Sequence, residues 1–251
     1  MMRVQFTANR PASNARLQRT RSAPLRSPLS RRPLGGWKRH NSLSIRVVLL
    51  LLSAPCALAG QGVVARGVVR GADKVLNHVS VRQVSGDIVK EGCTGGDVFA
   101  GVFVIEVRRD KGKSVTTPLN DLMGGGALRF PVDRWHGAWS IVFTDYNHDG
   151  QPDFALTGLS CQNNASYYLF TILTSGTVKP LRLSTGPAIL AQGDTVSTRF
   201  RTTPDGFRTA AYNNSIGEYE LYTYRWDSRH AVFTLVDHAT SNLSATPTPA
   251  P

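Results

Sequence analysis

The sequence predicts an all-β protein of about ten to twelve short antiparallel strands. Six segments alternate apolar with polar residues, are rich in β-branched and aromatic side chains, and are separated by turn residues. No window of eleven or more residues carries an apolar stripe at helical spacing. These observations favour a sandwich, a barrel or a propeller-like array of strands.

The six segments are the predicted strands, and in chain order they are VFVIEVRR (102–109), WSIVF (139–143), SYYLFTIL (166–173), TVSTRFRT (195–202), YELYTYRW (219–226) and AVFTLV (231–236). The turn-forming residues 227–230 separate the last two strands and predict a hairpin. Three glycine-rich runs, at residues 91–97, 123–127 and 184–188, are not followed by a helical pattern. They are therefore predicted to be loops rather than phosphate-binding turns.

The basic character of the chain lies at its N-terminal end. The net charge is +12, with 29 Lys and Arg against 17 Asp and Glu. Residues 1–59 contain eleven of the basic residues and no acidic residue, so residues 60–251 carry 18 basic and 17 acidic side chains. The predicted folded part is nearly neutral, which argues against a nucleic-acid partner.

Residues 37–59 have the pattern of a signal peptide. A basic stretch precedes an apolar run, and Ala57-Leu58-Ala59 fits the small-x-small rule for cleavage. The apolar run is too short to span a bilayer, so no stable membrane anchor is expected. Residues 1–36, rich in Arg, Ser and Pro, predict either a disordered basic extension or a start codon assigned too far upstream.

The remaining chain is predicted to be a periplasmic or secreted β domain over residues 60–239. A flexible tail rich in Pro and Thr follows at residues 240–251. Cys93 and Cys161 remain after the predicted cleavage, and an even number of cysteines in an oxidising compartment indicates a disulfide. Two buried free thiols are the alternative.

An acidic loop over residues 145–153 is the most specific motif. Its oxygen donors stand at alternate positions: Asp145, Asn147, Asp149, Gln151 through its backbone carbonyl, and Asp153. Gly150 stands where such a loop must turn sharply. This is the order of the first nine positions of an EF-hand loop, in which alternation wraps oxygens around a hard cation. The motif predicts a Ca²⁺ site; magnesium fits less well because it prefers few carboxylates and several waters.

The match to an EF-hand ends after these nine positions. Leu156 stands where a bidentate Glu is needed, and the flanking segments are predicted strands rather than helices. We therefore expect a strand–loop–strand unit with weak affinity, on the order of 10⁻⁵ to 10⁻³ M. The alternative is a metal-free hairpin loop in which Asp and Asn side chains accept hydrogen bonds from backbone N–H groups.

The stretch DYNHDGQPDFAL resembles the calcium loops of FG-GAP and VCBS-type repeats in β-propeller-like proteins. Together with SYYLF and GEYELYTYRW, it is similar to a small bacterial periplasmic family with a single such loop, and some members of that family inhibit lysozyme-type muramidases. The resemblance implies a divergent β-propeller-like domain, with a β-sandwich as the alternative. It also implies calcium bound by the five donors above and a protein partner in the envelope, but it assigns no inhibitory loop.

Two other functions stay open. The segment DRWHGAW, with Trp135 and Trp139, is the candidate face of an adhesion or carbohydrate-binding module, although tryptophans at this spacing also anchor β cores. A secreted hydrolase with an unrecognised site is the second alternative. The histidines are scattered and GLSCQ lacks the second glycine of a nucleophile elbow, so a non-enzymatic protein is expected.

Overall fold

The computed structural model describes residues 62–110, 112–193 and 195–241, which belong to one compact unit. These residues form sixteen strands and one four-residue helix, so the all-β prediction is confirmed. The predicted extension at residues 1–36, the signal peptide at 37–59 and residues 242–251 of the tail lie outside the described residues. No helix among the described residues is long and apolar enough to cross a membrane.

In chain order the elements are β1 (Val63–Arg70), β2 (Leu76–Lys90), β3 (Asp97–Arg109), β4 (Val115–Pro118), α1 (Leu119–Leu122), β5 (Leu128–Pro131), β6 (Trp139–Ser140), β7 (Phe143–Thr144), β8 (Asp153–Thr157), β9 (Asn164–Ile172), β10 (Val178–Pro180), β11 (Arg182–Leu183), β12 (Ile189–Gln192), β13 (Arg201–Thr203), β14 (Gly206–Asn213), β15 (Glu218–Asp227) and β16 (Val232–Ser241). They form three sheets, one of which curls into a half-barrel.

The first sheet has the strand order β4-β3-β2-β1-β6, and β5 pairs with β3 beside β4. The second sheet has the order β10-β9-β8-β7, and β12 also pairs with β9. The third sheet has the order β11-β16-β15-β14-β13. Neighbouring strands are antiparallel except in two short pairs, β1 with β6 and β11 with β16.

The second sheet is buried on both faces. Phe154 and Phe170 pack into one cluster with Phe103 and other residues of the first sheet, whereas Leu169 packs into a second cluster with Phe207 and other residues of the third sheet. Every residue of β8 is buried as a result. Burial of each such side chain stabilises the fold by roughly 1.5–3 kcal/mol. Three sheets packed in succession suit a propeller-like array better than a two-sheet sandwich.

Four of the six predicted strands coincide with β3, β9, β15 and β16, and two differ. The predicted strand at 139–143 is divided between β6 in the first sheet and β7 in the second, because the chain crosses between sheets at Ile141 and Val142. The predicted strand at 195–202 is wrong over most of its length, since only β13 is extended. Its alternation reflects the burial of Val196 and Phe200 in a segment without strand pairing.

The predicted disulfide is present between Cys93 and Cys161, whose Cα atoms lie 5.6 Å apart. Cys93 lies in the turn between β2 and β3, and Cys161 lies in the loop between β8 and β9. The bond therefore connects the first sheet with the second. Closing this loop is worth about 4 kcal/mol in the chain-entropy model.

Candidate calcium loop

The acidic loop joins β7 to β8 in the middle sheet. Thr144 and Asp153 are paired across the two strands, so the pairing closes the base of the loop. The flanking elements are strands, as the sequence predicts, and β8 pairs in turn with β9. The five predicted donors therefore stand at one edge of a sheet whose two faces are buried.

The backbone of the loop wraps around Asp145. Its carboxylate accepts hydrogen bonds from the backbone N–H groups of Asp149, at 3.2 Å, and Gly150, at 2.9 Å. The carboxylate of Asp149 accepts a hydrogen bond from the N–H of Gln151, at 2.7 Å. His148 and Gly150 have φ angles of 57° and 80°. This left-handed conformation is strained for most residues but accessible to glycine, and it produces the sharp turn.

Asp153 is fully buried at the end of the loop. Its Oδ2 accepts a hydrogen bond from the N–H of Tyr146 at 2.8 Å, but Oδ1 has no hydrogen-bond partner among the described residues. Burial raises the pKa of this carboxyl to about 7, and the charges of Asp149 and Asp145 raise it further against the lowering effect of neighbouring donors. The hydroxyl of Thr171, opposite on β9, is one of those donors, yet it completes no hydrogen bond.

A second oxygen of the loop is also buried without a partner. The side-chain Oε1 of Gln151 meets no hydrogen-bond donor among the described residues. The spacing of the loop residues predicts a role for Gln151 through its backbone carbonyl only. Its amide is therefore a candidate ligand that the spacing rule missed. Buried acceptors without donors are rare in native proteins, and a bound cation would satisfy both.

The three carboxylates of the loop do not converge on one point. Among the described residues, the group of three His, Cys, Asp or Glu side chains whose ligand atoms all lie within 4.8 Å is Glu91, Cys93 and Cys161. Because both sulfurs are in the disulfide, that group offers no thiolate and does not suit calcium.

The donor set nevertheless fits calcium. All five predicted positions carry oxygen donors of the kind that hard cations prefer. The metal-free alternative accounts for the bonds that Asp145 and Asp149 accept from the backbone. It leaves the buried Oδ1 of Asp153 and the buried Oε1 of Gln151 unexplained.

The loop is also attached to the third sheet. Tyr146 is fully buried, and its hydroxyl accepts a hydrogen bond from the N–H of Phe200 at 3.0 Å. Its ring packs against Phe207, with ring centroids 5.2 Å apart. His148 Nε2 lies 2.8 Å from the carbonyl oxygen of Thr203, so this nitrogen carries the proton and donates. An ordered loop therefore helps to hold the second and third sheets together.

The two tryptophans of DRWHGAW have different environments. Trp139 packs against the first core cluster, and its Nε1 donates a hydrogen bond to the carbonyl of Pro131 at 2.8 Å. Trp135 is 91 % exposed. Trp135 is therefore the more exposed of the two rings, and Trp139 is only partly accessible.

The same turn occurs twice, at residues 227–230, where the sequence predicts a hairpin, and at residues 133–136, where the sequence does not predict a turn. In each copy the first residue is Asp and the fourth is His, and one Asp oxygen accepts hydrogen bonds from the backbone N–H groups of the third and fourth residues. The other oxygen pairs with the His Nδ1, at 3.0 Å and 2.6 Å. The common D-x-x-H spacing is the signal that identifies both turns. The first copy holds the backbone at Trp135.

Comparisons with known proteins do not assign the chain to a family. No protein-family model matches the chain, and neither a curated protein nor a solved structure does. The resemblance to calcium-loop proteins therefore depends on residues 145–153 and their surroundings.

Proposed function

We propose that this chain is a secreted or periplasmic, non-enzymatic interaction module whose fold is stabilised by calcium at residues 145–153. The observation that carries the proposal is the buried Oδ1 of Asp153, which has no hydrogen-bond partner among the described residues. A carboxylate in this position is unfavourable unless it is protonated or meets a cation. The adjacent donors are all oxygens, which favours calcium over softer metals.

The residues that would hold the ion are Asp145, Asn147, Asp149, Gln151 and Asp153. Calcium would supply positive charge that offsets the repulsion among the three carboxylates. Asp153 anchors the loop to β8, while Tyr146 and His148 connect it to the third sheet. The role of the ion is then structural, because it orders a junction between sheets.

The proposed partner is a protein of the bacterial envelope. The family resemblance favours a lysozyme-type muramidase, which the module would inhibit by binding. A calcium-ordered scaffold suits this role because rigid loops lose less conformational entropy when they bind.

The test compares thermal unfolding of the full chain in about 2 mM calcium and in EGTA, beside a lysozyme turnover assay in both buffers. We expect calcium to raise the melting temperature and the chain to inhibit lysozyme at stoichiometric amounts. A rise without inhibition would support the calcium site and reject the muramidase partner. No rise would reject the calcium site and leave a metal-free loop.

Exposure of Trp135 favours a second candidate function, carbohydrate binding or adhesion. Its ring is 91 % exposed, and hydrogen bonds from the N–H groups of Trp135 and His136 to Asp133 order the backbone that presents it. Exposed aromatic rings on ordered turns stack on sugars or anchor protein interfaces. Glycan-array binding that Trp135→Ala abolishes, with lysozyme turnover unaffected, would establish this function instead.

A further inference from the structure

The outer face of the first sheet brings together basic residues that are far apart in the sequence. The strand register places Ser80 of β2 between Arg66 of β1 and Glu106 of β3. His78 lies opposite Arg108 in the same register, and Arg82 is two residues beyond Ser80. We call this surface the arginine groove, and its residues are Arg66, His78, Ser80, Arg82, Glu106 and Arg108.

The cations of the groove occupy three successive levels along the strands. Arg82 marks the first level, Arg66 the second and Arg108 the third. Residues two apart on a strand are separated by roughly 7 Å along its axis. The groove thus presents a positive charge at each of three steps of this length.

Two of these charges are uncompensated. Arg82 Nη1 donates a hydrogen bond to Glu106 Oε2 at 2.8 Å, which forms an ion pair. Arg66 and Arg108 are exposed, and within the described part of the chain neither forms an ion pair or a side-chain hydrogen bond. The pKa of Glu106 is lowered by the hydrogen bond from Arg82 and, to a smaller extent, by the positive charge of Arg108.

The concentration of charge is local. Residues 60–251 carry 18 basic and 17 acidic side chains, so the domain as a whole attracts anions only weakly. The groove gathers three arginines around one carboxylate in a depression of about 710 Å³. Ser80 adds a hydroxyl group to its lining. A site of this volume admits a small ligand or a segment of a longer one.

We propose that the arginine groove binds an extended polyanion whose charges are carried by sulfate or phosphate groups. Guanidinium groups bind such oxyanions through paired, charge-assisted hydrogen bonds. Arg66 and Arg108 provide the guanidinium groups that are not in ion pairs. Arg82 provides a third guanidinium group, which its ion pair with Glu106 holds in place. The site lies in the first sheet and does not depend on the calcium loop, so the two proposals fail independently.

The test titrates the full chain, in EGTA and at low salt, with a heparin hexasaccharide and with a linear polyphosphate of similar length. We expect binding that the double variant Arg66→Ser/Arg108→Ser weakens at least tenfold, and that added salt weakens. Glu106→Gln should strengthen binding several-fold, because it removes the carboxylate that competes for Arg82. Binding of one probe only would assign the site to sulfate or to phosphate.

The control variant Arg182→Ser/Arg208→Ser removes the same charge from exposed positions of the third sheet. It should bind within twofold of the unmodified chain. Equal weakening by the control pair would reduce the effect to net charge and overturn the proposal. Retention of full affinity by the groove variant, or absence of binding to both probes, would overturn it as well. A thermal melt of each variant excludes loss of fold as the cause.

Discussion

The acidic loop contains an oxygen of Asp153, and the arginine groove contains the side chains of Arg66 and Arg108, that have no hydrogen-bond or ion-pair partner among the described residues, but the two regions differ in burial. Asp153 is fully buried at the edge of the middle sheet, whereas Arg66 and Arg108 are exposed on the outer face of the first sheet. An ionised carboxylate loses hydration on burial, while an exposed guanidinium keeps it. Uncompensated charge is therefore expected to influence folding in the loop and only binding in the groove.

The largest expected effect is the pH dependence of stability without calcium. The folded pKa of Asp153 is about 7, above the ordinary value of 3.8. Its contribution is fully present below pH 4 and is lost as pH rises to 7, because the unfolded chain releases the proton first. The loss is on the order of 4 kcal/mol. Urea unfolding in metal-free buffer at pH 5 and pH 8 measures the part of this loss that falls between the two pH values, about 3 kcal/mol.

Asp153→Asn sharpens this prediction because asparagine is nearly isosteric but does not ionise. The variant should lose most of the pH dependence between pH 5 and pH 8 and be more stable than the unmodified chain at pH 8 without calcium. An unchanged pH dependence would show that another group controls it.

The second effect in size is the stabilisation by calcium. For an affinity of 10⁻⁵ to 10⁻³ M, about 2 mM calcium stabilises the fold by roughly 0.6 to 3 kcal/mol through mass action. Asp145→Ala should abolish most of this increment, because it removes the first ligand of the loop. Thermal melts with calcium and with EGTA measure the difference.

Asp237→Ala is the matched control for the calcium increment, since Asp237 is an exposed acid on β16. It should keep the full calcium response. Equal loss of stability in both buffers on Asp145→Ala would mean that its hydrogen bonds to the backbone, rather than an ion, account for its role.

The smallest effect is expected in the groove. Arg66→Ser/Arg108→Ser should change the free energy of unfolding by no more than about 0.5 kcal/mol at each site, because exposed side chains without partners contribute little. Chemical denaturation at pH 7 tests this expectation. A loss above about 2 kcal/mol would show that these arginines support the first sheet, and the contrast between loop and groove would break down.

The sequence predicts strands best where only one face is buried. In β3 and β15 alternation and β-branched residues suffice. β8 was predicted as the strand that follows the acidic loop and not as one of the six alternating segments, because both of its faces are covered and DFALT carries no alternation. The segment at 195–202 was wrongly predicted to be a strand over most of its length, because Val196 and Phe200 enter the core from a stretch of chain that makes no strand pairing there. Period-two patterning reports burial and does not by itself report strand pairing.

The two candidate sites also differ in how far the sequence alone predicts them. The loop donors are neighbours in the chain, so their spacing alone predicts that they come together. The groove was not predictable, because Arg66, Arg82 and Arg108 lie on three strands and their proximity depends on the register between them. The unpaired oxygen of Gln151 was hidden for a related reason, since burial of a side chain follows from packing that the motif does not describe.

The disulfide has a consequence for proteolysis. Cys93 and Cys161 are 68 residues apart, and the acidic loop lies within the covalent ring that they close. A protease that cuts one peptide bond in this loop would leave both fragments joined, with an intact mass increased only by one water. Cleavage becomes visible as two chains after reduction. A nicked molecule in an oxidising compartment would therefore keep its sheets tethered and be able to reassemble without finding its other half by diffusion.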